Sequence, residues 1–348
     1  MSKINLIGMT TSDLERLMVS MGQEQYRGRQ LFRWLYKNHE HDFELLTDLS
    51  KDLRQRLSSE CECVVLRPEE TLVSGDGTSK YLYRTNDGAV FESVLIPDDE
   101  SGRRTVCVSS QIGCALGCRF CATGALGFGR DLSVMEIVSQ LLYLRRVLGE
   151  AAFTNIVFMG MGEPLLNFDN VMAAVSIITD GAGLSHAAKK ITISTAGIIP
   201  GIKRLVGSGT KVRLAVSLNA ATQEKRERIM PVTRKYSLVD LKSALIDYTR
   251  ATGTRVTLEY ALFEGFNDSN EDISALIKFV HGLPCKINLL AYNPVEGLPF
   301  KRPHPQSVDA FAKKLYPHVP AVTVRKSRGA DIGAACGQLA GERKQRRE

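Results

Sequence analysis

From about residue 100 onward the chain repeats one pattern, a short apolar, β-branched run followed by a longer stretch of helical periodicity. The runs with strand character are 105–109, 155–159, 190–194, 212–217, 255–261, 286–290 and 321–325. Strands that alternate with helices pair in parallel, because each return to the same sheet edge needs a crossover. One such crossover opens with Ser133 and Glu136, spaced as a capping box, and continues through Ile137, Leu141, Leu144 and Leu148. Six or seven units are too few for a closed eight-stranded barrel. The pattern predicts an α/β fold, an open, partial (β/α) barrel. In such folds chemistry is built on the loops after the strands.

Those loops hold the unusual residues. After the first strand comes Gly113-Cys-Ala-Leu-Gly-Cys-Arg-Phe-Cys-Ala-Thr-Gly124, which places Cys114, Cys118 and Cys121 in a CxxxCxxC spacing. Three thiolates on one loop can hold three corners of a cubane [4Fe-4S] cluster and leave the fourth iron open to a small chelator. A zinc knuckle is the competing reading, but it ordinarily uses paired CxxC units or spaced histidines. No His occurs in residues 42–185. The spacing resembles that of the radical S-adenosylmethionine (SAM) enzymes, in which the open iron binds the amino and carboxylate groups of SAM. That resemblance gives the other loops roles. Gly162, before Glu163 in Gly160-Met-Gly-Glu-Pro164, lets backbone approach a ligand, and the Glu163 carboxylate can receive the SAM ammonium. Ser194, the run Ser217, Leu218 and Asn219, and Asn293 are the remaining cofactor contacts. Ser194, Ser217 and Asn219 can serve the carboxylate and ribose, and Asn293 the adenine edge.

Before residue 90 helical periodicity dominates. Ser12 and Glu15 are spaced as a capping box for a helix with Leu14, Leu17, Met18 and Met21 on one face. A second helix is predicted over 30–37 with Leu31, Trp34 and Leu35, and a third carries Leu46, Leu49, Leu53 and Leu57. Short strands around 63–66, 81–84 and 90–96 bridge to the core. The chain thus divides into a helical accessory domain (1–90), a core (91–341) and a charged tail (342–348). Arg27, Arg29 and Arg33 suit the accessory helices to nucleic acid, although a lid or packing role explains them as well. The formal net charge is +7, with Lys/Arg clusters from Lys189 to Arg347 that favour RNA or DNA as partner. No apolar run approaches the ~20 residues a membrane span needs. The N-terminus lacks a secretory pattern, and thiols concentrated in one loop suit a reducing cytoplasm.

Cys107 and Cys336, each taken alone, read as buried structural cysteines. Together with the cysteine loop, Glu163 and the ending Cys336-Gly-Gln-Leu339, they make the chain resemble the RlmN-type radical SAM RNA methyltransferases. The resemblance runs nearly end to end and is most specific over 111–124, 159–165 and 328–339. It implies methylation of adenine C2 in ribosomal RNA and transfer RNA, with two SAM molecules per turnover. It also implies that Cys336 carries the methyl group, Cys107 releases the product through a transient disulfide, and Glu92 accepts the C2 proton. A monomer served by an electron donor such as flavodoxin completes the expectation. Sister enzymes acting at adenine C8 share the cysteine pattern. A non-catalytic iron–sulfur RNA-binding protein would have no use for Cys107, Cys336 or Glu92. The family motif after the fourth strand often ends in His, where this chain has Asn219, so no acid–base role is expected there. Cys61, Cys63 and Cys285 match no ligand, and the six histidines read as structural or RNA-facing.

Overall fold

Ten strands form one sheet whose spatial order is the order of the sequence. They are β1 (Pro68–Val73), β2 (Ser79–Arg84), β3 (Val90–Asp98), β4 (Arg103–Cys107), β5 (Asn155–Phe158), β6 (Ile191–Thr195), β7 (Arg213–Ser217), β8 (Val256–Leu262), β9 (Cys285–Ala291) and β10 (Val322–Arg325). The computed structural model describes residues 3–319 and 321–341, so the predicted tail at 342–348 lies outside the described residues. From β4 to β10 every neighbouring pair is parallel. This is the open, partial barrel the periodicity predicts, and each strand foreseen after residue 100 is present within two residues of its expected bounds. β8 lies inside the sheet and is buried at every position. Helices in the crossovers, Val134–Leu148 among them, cover the outside. That helix begins as its sequence foretells, with Ser133 and Glu136 forming the capping box. No helix among the described residues is long and apolar enough to cross a membrane.

The N-terminal half of the sheet departs from expectation. β1, β2 and β3 form an antiparallel meander that pairs with β4, Arg84 standing opposite Val90 and Val94 opposite Cys107. Ladder hydrogen bonds thus join the strands on either side of residue 90, and residues 68–98 share one sheet with the strands that follow. The strand foreseen at 63–66 is irregular chain, and β1 was not foreseen because its alternation is broken by Pro68, Glu69 and Glu70.

The helical module comprises α1 (Thr11–Ser20), α2 (Tyr26–Tyr36) and α3 (Lys51–Glu60), closed by a short parallel pairing of Ile4–Asn5 with Cys61–Glu62. Its first cap is Thr10 with Asp13, not Ser12 with Glu15. The shorter Asp13 side chain reaches the Thr10 N–H at 2.9 Å and the hydroxyl at 2.7 Å, which starts the helix earlier. α1 and α2 cross at Gly28, where a Cβ would stand 2.4 Å from the Glu15 nitrogen. The buried Tyr36 hydroxyl accepts from the Gly8 N–H at 2.8 Å and donates to the Met9 carbonyl at 3.0 Å. Gly8 in turn packs on Met135 of the core, and Lys37 donates to the Gly181 carbonyl at 3.2 Å.

Candidate active site

The cysteine loop leaves a small ribbon made by Gln111–Gly113 and Phe128–Asp131. Only glycine fits at 113, where φ is 66° and the carbonyl of Gly127 occupies the space of a side chain. That carbonyl accepts from the Cys114 N–H at 2.7 Å. The Cys118 carbonyl accepts from the Cys121 N–H at 3.1 Å, and Cys121 opens the helical turn Ala122–Ala125. All three cysteines line one cavity of about 190 Å³ at the carboxyl ends of the strands. Burial pushes Cys114 up to about 11 and raises Cys118 further, helped by the neighbouring thiols. Among the described residues no three His, Cys, Asp or Glu side chains converge on a single ion. Thiols spread round a cavity with no histidine are a donor set that fits a cubane cluster. An aromatic wall screens this space. Phe120 of the loop packs on fully buried Phe263 at 5.2 Å, and Phe263 meets Tyr292 at 4.9 Å and Phe300 at 5.1 Å.

The loop after β5 brings Glu163 to the same cavity. At Gly162 φ is 98°, and a Cβ would fall 2.5 Å from that of Gln111. The Gln111 amide oxygen accepts from the Glu163 N–H at 2.8 Å, and its nitrogen donates to Asp131 at 2.7 Å, so one side chain ties this loop to the cysteine ribbon. Glu163 Oε2 accepts from the Ala196 N–H at 2.7 Å and Oε1 from the Leu165 N–H at 3.1 Å. Burial outweighs these bonds and pushes its carboxyl up to about 7. A carboxylate held this way gains most from an incoming cation.

The remaining predicted contacts divide. Ser194, Ser217 and Asn293 line the cavity. Asn219 also lines it, in a left-handed conformation with φ 56°, but its side-chain oxygen is already committed to the Ala261 N–H at 2.9 Å. Only its amide nitrogen, 3.5 Å from the Met230 sulfur, is left to face a ligand. The Leu218 side chain is fully buried and does not line the cavity; its N–H donates to the Glu259 carbonyl at 2.9 Å and its carbonyl accepts from Arg226 at 3.0 Å. Asn293 donates to the Cys336 carbonyl at 3.3 Å and accepts from Arg302 at 3.1 Å.

A second cavity of about 120 Å³ adjoins the first through Cys121, Asn293 and Cys336, and Cys107 opens onto it. Burial pushes Cys107 up to about 12, reinforced by nearby Cys336 and opposed by Arg325. Cys336 is the exposed member of the pair as a residue, yet the protein packed around its sulfur sheds enough water to raise the thiol against the pull of Arg325. The segment after it is strapped down. The Leu339 carbonyl accepts from the Thr123 hydroxyl at 2.6 Å and the Gly337 carbonyl from the Ala122 N–H at 2.8 Å. Glu92 shares a sheet face with Cys107, because Val94, two residues on, stands opposite Cys107. Its carboxylate is fully buried, pairs with Lys80 at 2.9 Å, and accepts from the Ala340 N–H at 3.0 Å and the Gly341 N–H at 3.2 Å. Glu92 therefore lies under the C-terminal segment and lines neither cavity.

Sequence reasoning missed Glu259 and Arg325, which line the first cavity and pair at 3.5 Å. A carboxylate inside the apolar β8 run and an arginine closing β10 were the available signals. Gln111 and Arg226 carried none, since their importance lies in partners distant in sequence.

With this geometry in view, likeness to known proteins is specific. Residues 4–63 match the family described as the ribosomal RNA large subunit methyltransferase N-terminal domain, and residues 108–280 match the radical SAM superfamily. A dual-specificity RNA methyltransferase RlmN of Geobacter sulfurreducens is 44% identical over 339 residues, covering 97% of this chain and 92% of the relative. That of Syntrophobacter fumaroxidans is 45% identical over 334 residues, covering 96% and 97%. The crystal structure of a radical SAM methyltransferase from Sphaerobacter thermophilus superposes with a TM-score of 0.90 at 40% identity, covering 97% of this chain and all of that one. Radical SAM proteins use a [4Fe-4S] cluster and SAM. The chain belongs to the RlmN family of radical SAM RNA methyltransferases.

Proposed function

We propose that this enzyme methylates C2 of adenine in large-subunit ribosomal RNA and in transfer RNA, with Cys336 as the methyl carrier. The observation that carries the reading is the opening of Cys336 and Cys107 onto one cavity, contiguous with the space lined by Cys114, Cys118 and Cys121. The RNA classes are supported by the relatives' description as dual-specificity and by the ribosomal name of the N-terminal match. Cluster and SAM, when bound, supply one-electron cleavage of the sulfonium and hence hydrogen abstraction from an otherwise inert methyl group. Cys114, Cys118 and Cys121 would hold the cluster, and Glu163, Ser194, Ser217 and Asn293 would orient SAM.

The outer residues divide the rest of the work. Cys336 acts first as a nucleophile, its thiolate attacking the methyl carbon of one SAM and releasing S-adenosylhomocysteine, so that the methyl is held as a thioether. Arg325, beside both thiols, favours their ionised forms. After the carbon has joined C2, the adduct gives up its unpaired electron to a one-electron acceptor and Glu92 takes the C2 proton, which requires its bonds to Ala340 and Gly341 to yield. Cys107 then attacks the Cys336 sulfur; the disulfide forms as the sulfur–methylene bond breaks, and the carbon leaves with the electron pair and takes a proton to become the methyl group of the freed base. A one-electron carrier such as flavodoxin supplies the electron.

Two variants test this. Cys336→Ala should form no RNA adduct. Cys107→Ala should accumulate RNA attached through Cys336, seen as a denaturation-resistant band removed by ribonuclease. If both variants are inactive without adduct, Cys107 is a structural thiol and the release step is wrong. Nucleoside chromatography decides the position, since loss of 8-methyladenosine in place of 2-methyladenosine on removing the protein would move it to C8.

A further inference from the structure

The largest fully buried side chain among the described residues is a charged one, Arg226, at 1% exposure. It sits on the short helix Gln223–Ile229. Its guanidinium donates to the carbonyls of Ala196 at 2.6 Å, Leu218 at 3.0 Å and Ser217 at 3.1 Å, and to the Thr233 hydroxyl at 2.7 Å. All four acceptors are neutral, and no carboxylate among the described residues pairs with it. Burial lowers its affinity for the proton to about 10, and the one group that opposes this electrostatically is Cys118. A guanidinium buried against neutral dipoles alone is costly, and proteins ordinarily give such a charge a partner.

The bonds it makes are placed where a cofactor would lie. Ala196 donates its N–H to Glu163 while its carbonyl accepts from Arg226, so the guanidinium braces the loop after β6 from behind. Ser217 ends β7 and Leu218 begins the loop after it. At the end of the same helix the Ile229 carbonyl accepts from the Arg119 N–H of the cysteine loop at 2.9 Å. One side chain thus joins two ligand loops, and its helix holds the third.

We propose that Arg226 is a positioning residue that fixes the SAM-binding loops and that its buried positive charge is the polypeptide's counterpart to an anionic cluster, favouring the reduced state. The proposal rests on reading Cys114, Cys118 and Cys121 as the cluster ligands. Reduction adds one negative charge to the cluster, and a fixed cation in a weakly screened interior stabilises that form over the oxidised one.

The test is a redox titration, followed by electron paramagnetic resonance, of the anaerobically reconstituted full chain without RNA. Arg226→Gln removes the charge, and Arg226→Met does so with a side chain that fills the space, a replacement that is often neutral for stability. Both should lower the reduction equilibrium about tenfold, equivalent to ~59 mV for a one-electron couple. Arg226→Lys should keep the potential while weakening SAM binding, read by calorimetry, because the forked bonds are lost. If both neutral variants fail to load iron while Arg226→Lys loads it, the charge requirement stands. Neutral variants that load a full cluster at the wild-type potential would overturn it, and so would loss of iron from all three variants, which would leave Arg226 a structural fork. Cys118→Ala tests the ligand assignment separately, since normal iron content there would sink that reading whatever Arg226 does.

Discussion

Glu92 shows how far one side chain's surroundings can redefine it. In sequence it is a polar residue on a strand; in the fold it is a buried anion shared by Lys80 and two backbone N–H groups of the segment that carries Cys336. Removing one member of a buried pair leaves the other charge stranded, at a cost of roughly 3–5 kcal/mol. Glu92→Gln should therefore lower stability to urea by about 3 kcal/mol and release the last turn of chain. Hydrogen exchange at 337–341 should rise in the same variant. An unchanged midpoint would show that Lys80 finds water in the native state and that the pair holds nothing down.

At the scale of elements, the helical module depends on close approach and on neutral histidines. The α1–α2 crossing has no room for a methyl group at Gly28, where the backbone of Glu15 already lies within 2.5 Å of the site. Gly28→Ala should cost about 1–3 kcal/mol by forcing the helices apart, despite the better helix propensity of alanine. Thermal melting would register it, and a stabilised variant would contradict the packing. Where the module meets the helix Val134–Leu148, His39 is held down to about 4, by burial first and then by Arg145. His41 and His186 are lowered in the same sense. A depressed folded value means the unfolded chain takes the proton first, so this contribution is intact above about pH 6.5 and is lost as pH falls toward 4. His39→Asn, whose residue accepts the positive φ of 53°, should flatten that acid loss in urea unfolding measured at several pH values. An equal slope in variant and parent would place the loss elsewhere.

For the molecule as a whole, charge speaks to the substrate more than to the fold. A net charge of +7 predicts RNA binding that weakens steeply with salt, because each phosphate contact releases a counterion. Arg29 and Arg33 are exposed, whereas Arg27 is half-buried and donates to Gln30 and Asp48. Reversing all three should weaken binding and reduce the slope of log affinity against log salt by up to about two, with SAM cleavage unaltered. Filter binding across a salt series would measure it. Unchanged affinity would assign the module to packing.

Local spacing was enough for the parallel half of the fold and for the cysteine loop, because helix period, strand period and a CxxxCxxC run are written in neighbouring residues. The Glu163 and Ser194 loops were legible for the same reason, since a barrel places its strand ends on one rim. Tertiary structure decided what depends on distant partners. It carried β1 to β3 into the core sheet, because antiparallel pairing is settled by strands meeting in space, with no local mark at residue 90. It also committed the Asn219 oxygen to Ala261, hid the Leu218 side chain, and laid the Cys336 segment over Glu92. Arg226 is the clearest case. Its neighbours in sequence are charged residues of an exposed helix, and only burial beneath three loops makes its charge matter. Burial and counter-charge belong to the packed chain, and no spacing along the sequence encodes them.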